Sequence, residues 1–500
     1  MRFGCSVSTT LPTVADVFDD AVRRDGDCEA YVEGDHRITF AQWGALADSL
    51  AAELVDRGVR PGDVVAIMLP PSIDFAVCYA AITRCGAVTT ALNLRLGPLE
   101  SAAIFKICQP VLVIHDKTES VVPPGDAVLI ERTELEAICT RDGLGSRRPQ
   151  RKADDPAVII WTSGTTGTPK GAWFDHDNLA AAVASGGAMT ARHDRRLVAT
   201  PFAHAGYLAK LWEQLETATT IVIGPTPWRA EDTARLVVEE RITVLGAVPT
   251  QWAKLTELPA LHRESLPHLR VGICATAPAP PELIERVRDQ IGCPLIVRYA
   301  MTEAPSITGT DPDDPPEVQF RTVGRPQAGM EIRIVEEHIQ VRGSTVMRGY
   351  WNAPEATAEA FEADGWLRTG DLGRLTPQGN LVLIGRASDM YIRGGYNVHP
   401  LEVENLLAEH PAVDRVAVVG VPTDIIGEIG VAYLVPADPQ HPPTLAEIRA
   451  FVASHLADYK RPDEIEIIDA LPLTAMLKID KAALREHATN LRGRATKESG

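Results

Sequence analysis

The sequence has no Cys-x-x-Cys pair, no run of basic residues and no apolar stretch of membrane length. Each absence closes off a class of protein. The eight cysteines (Cys5, Cys28, Cys78, Cys85, Cys108, Cys139, Cys274 and Cys293) stand singly, with no histidine at zinc-finger spacing. In a long chain, that pattern reads as buried free thiols in a reducing compartment, not as a disulfide scaffold or a zinc module. Pro, Gly or charge interrupts every apolar run well short of the roughly 20 residues that span a bilayer. The opening MRFGCSVSTTLPT has no apolar run long enough for a signal peptide. Positive charge is in the minority, 49 Lys+Arg against 67 Asp+Glu, for a formal net charge of −18. That balance argues against a nucleic-acid surface but leaves room for a local pocket of donors that takes an anionic substrate. The expectation is a cytoplasmic protein with no nucleic-acid partner and no membrane span.

What is present is ordinary globular material: 500 residues, 45% hydrophobic and 23% charged. That length allows about two to four domains, or one large and one small. Val14, Val17, Phe18 and Val22 recur at helical spacing after Thr13, a candidate N-cap. Thr39 with Gln42 forms a capping box ahead of Trp43, Leu46, Ala47, Leu50 and Leu54, and Gly58 closes that helix. Buried strands then alternate with helices, and the rhythm recurs from Ala157 to about Ala300, as in α/β layers with largely parallel strands. After about residue 315 the texture changes. EIRIVEEHIQVRG (331–343) and NLVLIGR (380–386) read as hairpin or small-barrel strands, and the end of the chain reads as a separate small α+β unit.

The sharpest motif is Trp161-Thr162-Ser163-Gly164-Thr165-Thr166-Gly167-Thr168-Pro169-Lys170-Gly171, directly after the apolar strand 157–160. Hydroxyls, glycine-freed backbone N–H groups and one lysine in a tight loop make a phosphate cradle. It is not the common nucleotide-binding P-loop, because Pro169 and Gly171 fall where a glycine and a metal-binding Ser/Thr are required. The loop resembles the signature of the adenylate-forming superfamily, which includes acyl-CoA synthetases, amino-acid adenylation domains and luciferases. ATAP (275–278), YAMTE (299–303), GWLRTGD (365–371), GRASDMYIRGGYNVHPLEVE (385–404) and LPLTAMLKIDKAALR (471–485) resemble further motifs of that superfamily, in its order, and the likeness covers nearly the whole chain.

The resemblance implies a fold and an activity. The expected fold is α/β: a large N-terminal domain of layered α/β sheets with a small barrel-like part, and a small mobile C-terminal α+β domain. The expected boundaries are 1–387 for the ATP- and acyl-binding domain, 388–395 for a hinge linker centred on Asp389, 396–487 for the lid, and 488–500 for a disordered tail. The implied reaction ligates a fatty, aromatic or cyclic carboxylic acid to coenzyme A with ATP and Mg²⁺, through an acyl-adenylate. Two alternatives stand beside it: an acyl-AMP ligase that loads a carrier protein, and a degenerate nucleotide-binding protein.

By the same resemblance, Thr162, Ser163, Gly164, Thr165, Thr166, Gly167 and Lys170 hold the β- and γ-phosphates. Thr302 contacts the α-phosphate, and Glu303 holds Mg²⁺, which favours hard oxygen ligands. Ala275, Thr276, Ala277, Pro278 and Tyr299 enclose the adenine, while Asp371 and Arg386 take the ribose. Lys478 is the adenylation lysine, set to neutralise charge as the carboxylate attacks phosphorus. Gly394 and Gly395 line the pantetheine tunnel, and His204, Ala205, Gly206 and Ala300 border the acyl pocket. Ala203 stands where amino-acid adenylation domains carry an aspartate, which disfavours an amino-acid substrate. Two departures bear on rate and substrate: Leu477 and Ala300 each replace a glycine usual in the superfamily.

Overall fold

The computed structural model describes residues 12–116, 125–140, 142–144, 149–162, 169–198, 200–275, 281–423, 427–474 and 479–498. The first helices start as their capping residues dictate. Thr13 accepts from the backbone of Asp16, whose carboxylate accepts from Thr13 N, and Thr39 and Gln42 repeat the arrangement. The second helix, Phe40–Asp56, ends two residues before Gly58, which takes φ +96°. Trp43 is fully buried on it, edge-on to Phe18 and Tyr31, with its indole N–H donating 3.1 Å to Ala76 O.

Two large mixed sheets form the main body. One runs Gly349–Tyr350, Lys170–Asp175, Pro156–Thr162, Val88–Ala91, Val64–Met68, Leu112–His115 and Val128–Glu131. Its last five strands are parallel, whereas Lys170–Asp175 returns antiparallel on Pro156–Thr162. Val64–Met68 is buried at every position, as a parallel strand covered on both faces must be. The second sheet runs Arg325–Pro326, Ala304–Gly309, Leu295–Met301, Val271–Cys274, Val244–Ala247, Arg195–Val198, Thr220–Ile223, Glu29–Glu33 and His36–Thr39. Its interior is parallel and its margins are antiparallel. The strands expected from 331–343 and 380–386 join Leu367–Leu375 in a four-stranded antiparallel sheet.

The C-terminal part carries its own five-stranded sheet, in which the long hairpin Val413–Thr423 and Gly427–Pro436 pairs with Tyr391–Arg393 and Glu464–Ile467. Val403, Leu407, Ile448 and Val452 pack on one side of it, and Leu484 and Ala488 on the other. Two expectations need correction here. Part of the stretch expected as a linker is strand: Tyr391–Arg393 pairs with Tyr396–Val398 across a turn in which Gly394 and Gly395 have φ of +58° and +86°. Both central residues left-handed is the turn that matches the twist of a two-stranded ribbon, so the paired glycines make a hairpin rather than a tether. Of the tail expected to be disordered, residues 488–498 continue the helix Lys481–Glu498. Leu484 and Ala488, one turn apart, bury its inner face, and Arg492 pairs with Glu464 at 2.6 Å. Among the described residues, no helix is long and apolar enough to cross a membrane, and the cysteines from Cys28 to Cys293 are all free.

Candidate active site

The end of Leu295–Met301 brings the first group of expected residues together. Tyr299 is buried and its hydroxyl donates 2.6 Å to Asp371 Oδ2. Asp371 Oδ1 lies 3.1 Å from Arg386 Nε. The pairing of Leu367–Leu375 with Leu381–Arg386 sets Asp371 opposite Arg386, and Thr369 Oγ1 accepts from Asp371 N at 3.1 Å. Burial, and then the Asp371 carboxylate, pushes the Tyr299 phenol well above its ordinary pKa, so it stays a proton donor. The expected stacking residue thus also fixes the orientation of the expected ribose-binding carboxylate.

A turn between Met301 and Ala304 presents Thr302 and Glu303, the residues expected at the α-phosphate and the metal. Glu303 is 9% exposed and Thr302 half-buried. Glu303 Oε1 accepts 2.8 Å from the hydroxyl of Tyr350. No described cation pairs with this carboxylate, and a buried anion without a cation is costly. A divalent cation of the Mg²⁺ class, which takes carboxylate oxygens, would answer that deficit. Ala300, exposed, has a negative φ, so its extra methyl causes no backbone strain there. The register slips between Tyr299 and Met301, leaving Ala300 outside the regular pairing.

Thr162 and Lys170, the ends of the expected phosphate loop, pair across the antiparallel strands Pro156–Thr162 and Lys170–Asp175. Trp161 at the loop's entry donates 2.7 Å to Thr90 Oγ1 and so anchors that strand end. Lys170 Nζ sits 5.3 Å above the ring centre of Tyr350. Tyr350 therefore touches both the expected phosphate lysine and the expected metal carboxylate. It was not among the residues expected from sequence. No spacing marks it, because its role arises where Gly349–Tyr350 pairs with Lys170–Asp175. Ser163, Gly164, Thr165, Thr166, Gly167, Thr276, Ala277, Pro278, Leu477 and Lys478 lie outside the described residues. Ala275, half-buried, follows the strand Val271–Cys274.

The segment expected at the acyl pocket is anchored from below. Tyr207 stacks on Phe202 at 3.6 Å between ring centres, and its hydroxyl meets that of Tyr31 at 2.8 Å. His204 caps the short helix Ala205–Leu208, its Nδ1 accepting 3.1 Å from Gly206 N. Ala205 is buried, Gly206 exposed, and Ala203 and His204 half-buried. In the C-terminal part, Asp389 is 3.9 Å from Lys481, which pairs with Glu404 at 2.7 Å. Gly394 and Gly395 are exposed, and nothing lies within 4 Å of a Cβ placed on either.

The family model for AMP-binding enzymes matches residues 18–351, and the model for the AMP-binding enzyme C-terminal domain matches 402–478. The chain is 34% identical to a 3-[(3aS,4S,7aS)-7a-methyl-1,5-dioxo-octahydro-1H-inden-4-yl]propanoyl:CoA ligase of Rhodococcus jostii, covering 93% of this chain and 97% of that protein. It is 31% identical to the long-chain-fatty-acid–CoA ligase FadD13 of Mycobacterium tuberculosis, covering 92% and 95% of the two chains. Its fold superposes on ATP-bound MatB from Rhodopseudomonas palustris with a TM-score of 0.88 at 28% identity, covering 95% and 99% of the two chains.

Proposed function

The chain belongs to the family of AMP-binding enzymes, and from that starting point we propose that it joins a carboxylic acid to coenzyme A through an acyl-adenylate. The observation that carries the proposal is the pairing of Lys170 and Glu303 on the ring and hydroxyl of one tyrosine, Tyr350. A cation and a metal-seeking carboxylate at one place are what a magnesium triphosphate requires. Joining a carboxylate to the α-phosphate brings two anions together, so the barrier is electrostatic.

In the proposed first half-reaction the acid's oxygen bonds to the α-phosphorus, the bond to pyrophosphate breaks, and the acyl-adenylate forms. Lys170 and the loop from Thr162 hold the leaving pyrophosphate, and Thr302 donates to the α-phosphate. Asp371, oriented by Tyr299, accepts from the ribose hydroxyls, with Arg386 beside it. Bound Mg²⁺ would neutralise phosphate charge, and Glu303 is the residue set to hold it. Lys478 brings its ammonium to the reacting oxygens when the C-terminal part closes. In the second half-reaction the thiol of coenzyme A attacks the acyl carbonyl, and AMP leaves with the bonding pair.

The proposed substrate is a hydrophobic acid, fatty, aromatic or ring-bearing. Ala203, Ala205 and Ala300 offer no charged group to read a second polar end, and the ligases to which the chain is similar are named for a bicyclic propanoyl group and for long-chain fatty acids. The free cysteines support a reducing, cytoplasmic setting. The test is AMP release across a panel of carboxylic acids, with and without coenzyme A. Acid-dependent pyrophosphate release with thioester formed only when coenzyme A is added is the expected result. Turnover only with an acyl-carrier protein would select the carrier-loading reading, and no ATP–pyrophosphate exchange with any acid would sink the catalytic one.

A further inference from the structure

A cavity lies on the side of the strand Leu295–Met301 away from Tyr299. Side chains alternate along the strand Leu295–Met301, so Arg298 points away from the face on which Tyr299 meets Asp371. Arg298 is 8% exposed and lines a cavity of about 140 Å³ at the margin of the nine-stranded sheet. Its Nη2 donates to Ser185 O at 3.2 Å and to Ser306 Oγ. No described carboxylate pairs with it. The nearest buried charges deepen the imbalance. Glu213 already pairs with Lys210 at 2.7 Å and with Arg196 at 2.9 Å, so three cations share one buried carboxylate. Burial, only partly offset by Glu213, draws the Arg298 pKa down to about 10. A guanidinium buried without its own anion is expensive, and its planar fork is shaped for oxyanions.

Arg298 packs over Gly309, where a Cβ would lie 2.7 Å from its Cδ and 2.8 Å from its Nη1, so the glycine leaves the room in which the guanidinium reaches the cavity wall. Gln327, also at the wall, donates from Nε2 to Gly309 O at 3.4 Å and to Arg325 O at 3.3 Å. Arg325 at the wall is neutralised by Asp314 at 2.6 Å, which leaves Arg298 as the wall's unneutralised cation, and exposed Asp311 stands at the rim. The volume is below that of a pocket for a nucleotide-sized ligand. We propose that this cavity binds one small oxyanion, a phosphate or a short carboxylate, on Arg298.

The experiment is calorimetric titration of the full chain in chloride buffer with inorganic phosphate, and in parallel with succinate. One equivalent of phosphate, succinate or both is expected to bind saturably at millimolar concentration, and the two titrations identify which anion is preferred. Lys170→Ala should retain this binding, which separates it from the proposed triphosphate site and keeps the two readings independent. Arg298→Gln, checked for folding by circular dichroism, should weaken it about tenfold or more, since hydrogen bonds to a charged group are lost. Asp311→Asn removes a repelling charge at the surface and should tighten it about two- to fivefold. The proposal is overturned if neither anion binds, or if binding is lost with Lys170→Ala and kept with Arg298→Gln. Should Arg298→Gln fail to fold, an Asp311→Asn affinity equal to wild type overturns it alone.

Discussion

Tyr350 and Asp371 each hold more than one partner, and substitution separates their contributions. Tyr350→Phe removes the hydroxyl that donates to Glu303 while keeping the ring beneath Lys170. A hydrogen bond to a charged group is worth about 1.5–3 kcal/mol. The Mg²⁺ concentration for half-maximal adenylation should therefore rise about tenfold, with the ATP KM at saturating Mg²⁺ little changed. An unaltered Mg²⁺ requirement would remove Tyr350 from the site. Asp371→Ala would leave the buried Tyr299 hydroxyl without its acceptor, so it costs stability as well as ATP affinity. Asp371→Asn keeps an acceptor for Tyr299 but loses the charge. Its Tm should stay near wild type while ATP affinity, measured by calorimetry, falls about tenfold. Equal ATP affinity in the two proteins would refute the ribose assignment.

Between elements, one histidine joins two helices far apart in sequence. His176 opens the helix His176–Ala184, and its Nδ1 accepts 3.2 Å from the N–H of Val14, the first residue of Val14–Asp25. Burial, and then Arg151, lowers its pKa to about 4 from an ordinary 6.5. The folded state thus holds His176 neutral, and the unfolded chain binds the proton first. Its contribution is complete above pH 6.5 and is lost progressively as pH falls toward 4. Between pH 7.5 and pH 5 the loss is about 2 kcal/mol. Urea unfolding at those two pH values should show wild type losing about that much more than His176→Gln; parallel losses in the two proteins would contradict the linkage. The paired glycines 394 and 395 matter in the same way: the small part's sheet starts with a hairpin whose turn needs both left-handed residues.

Across the whole molecule, the proposed chemistry depends on two parts meeting. Thr302, Glu303 and Lys170 belong to the large sheets, whereas Lys478 belongs to the C-terminal segment, after Leu473, which bridges to Ile479. If its ammonium acts only on adenylation, Lys478→Ala should slow ATP–pyrophosphate exchange by about 10²–10³-fold. Thioester formation from synthetic acyl-adenylate and coenzyme A should persist, and the Tm should not move. A mutant as brisk as wild type in exchange would overturn the role. A slow wild type made faster by Leu477→Gly would instead locate the limit in the residue beside the lysine.

Much of this was legible in residue order because the signals are local. Thr13 and Thr39 cap their helices as their side chains dictate, and the apolar runs at Val64–Met68 and Pro156–Thr162 become parallel-sheet strands. The Ser/Thr/Gly loop after Trp161, the YAMTE turn and GWLRTGD are contiguous motifs, so the family could be read without coordinates. What residue order did not reveal was decided by packing between distant strands. Tyr350 reaches Glu303 and Lys170 only because Gly349–Tyr350 adds to the strand Lys170–Asp175. The polar chain end becomes helix because Leu484 and Ala488 find a sheet face to cover, a partner that composition does not contain. Arg298 is one more arginine in sequence. Only the fold buries it, beside Lys210, Arg196 and a single carboxylate, at the wall of a cavity. Periodicity and capping are properties of neighbours along the chain, whereas desolvation and charge pairing depend on which segments the tertiary structure brings together.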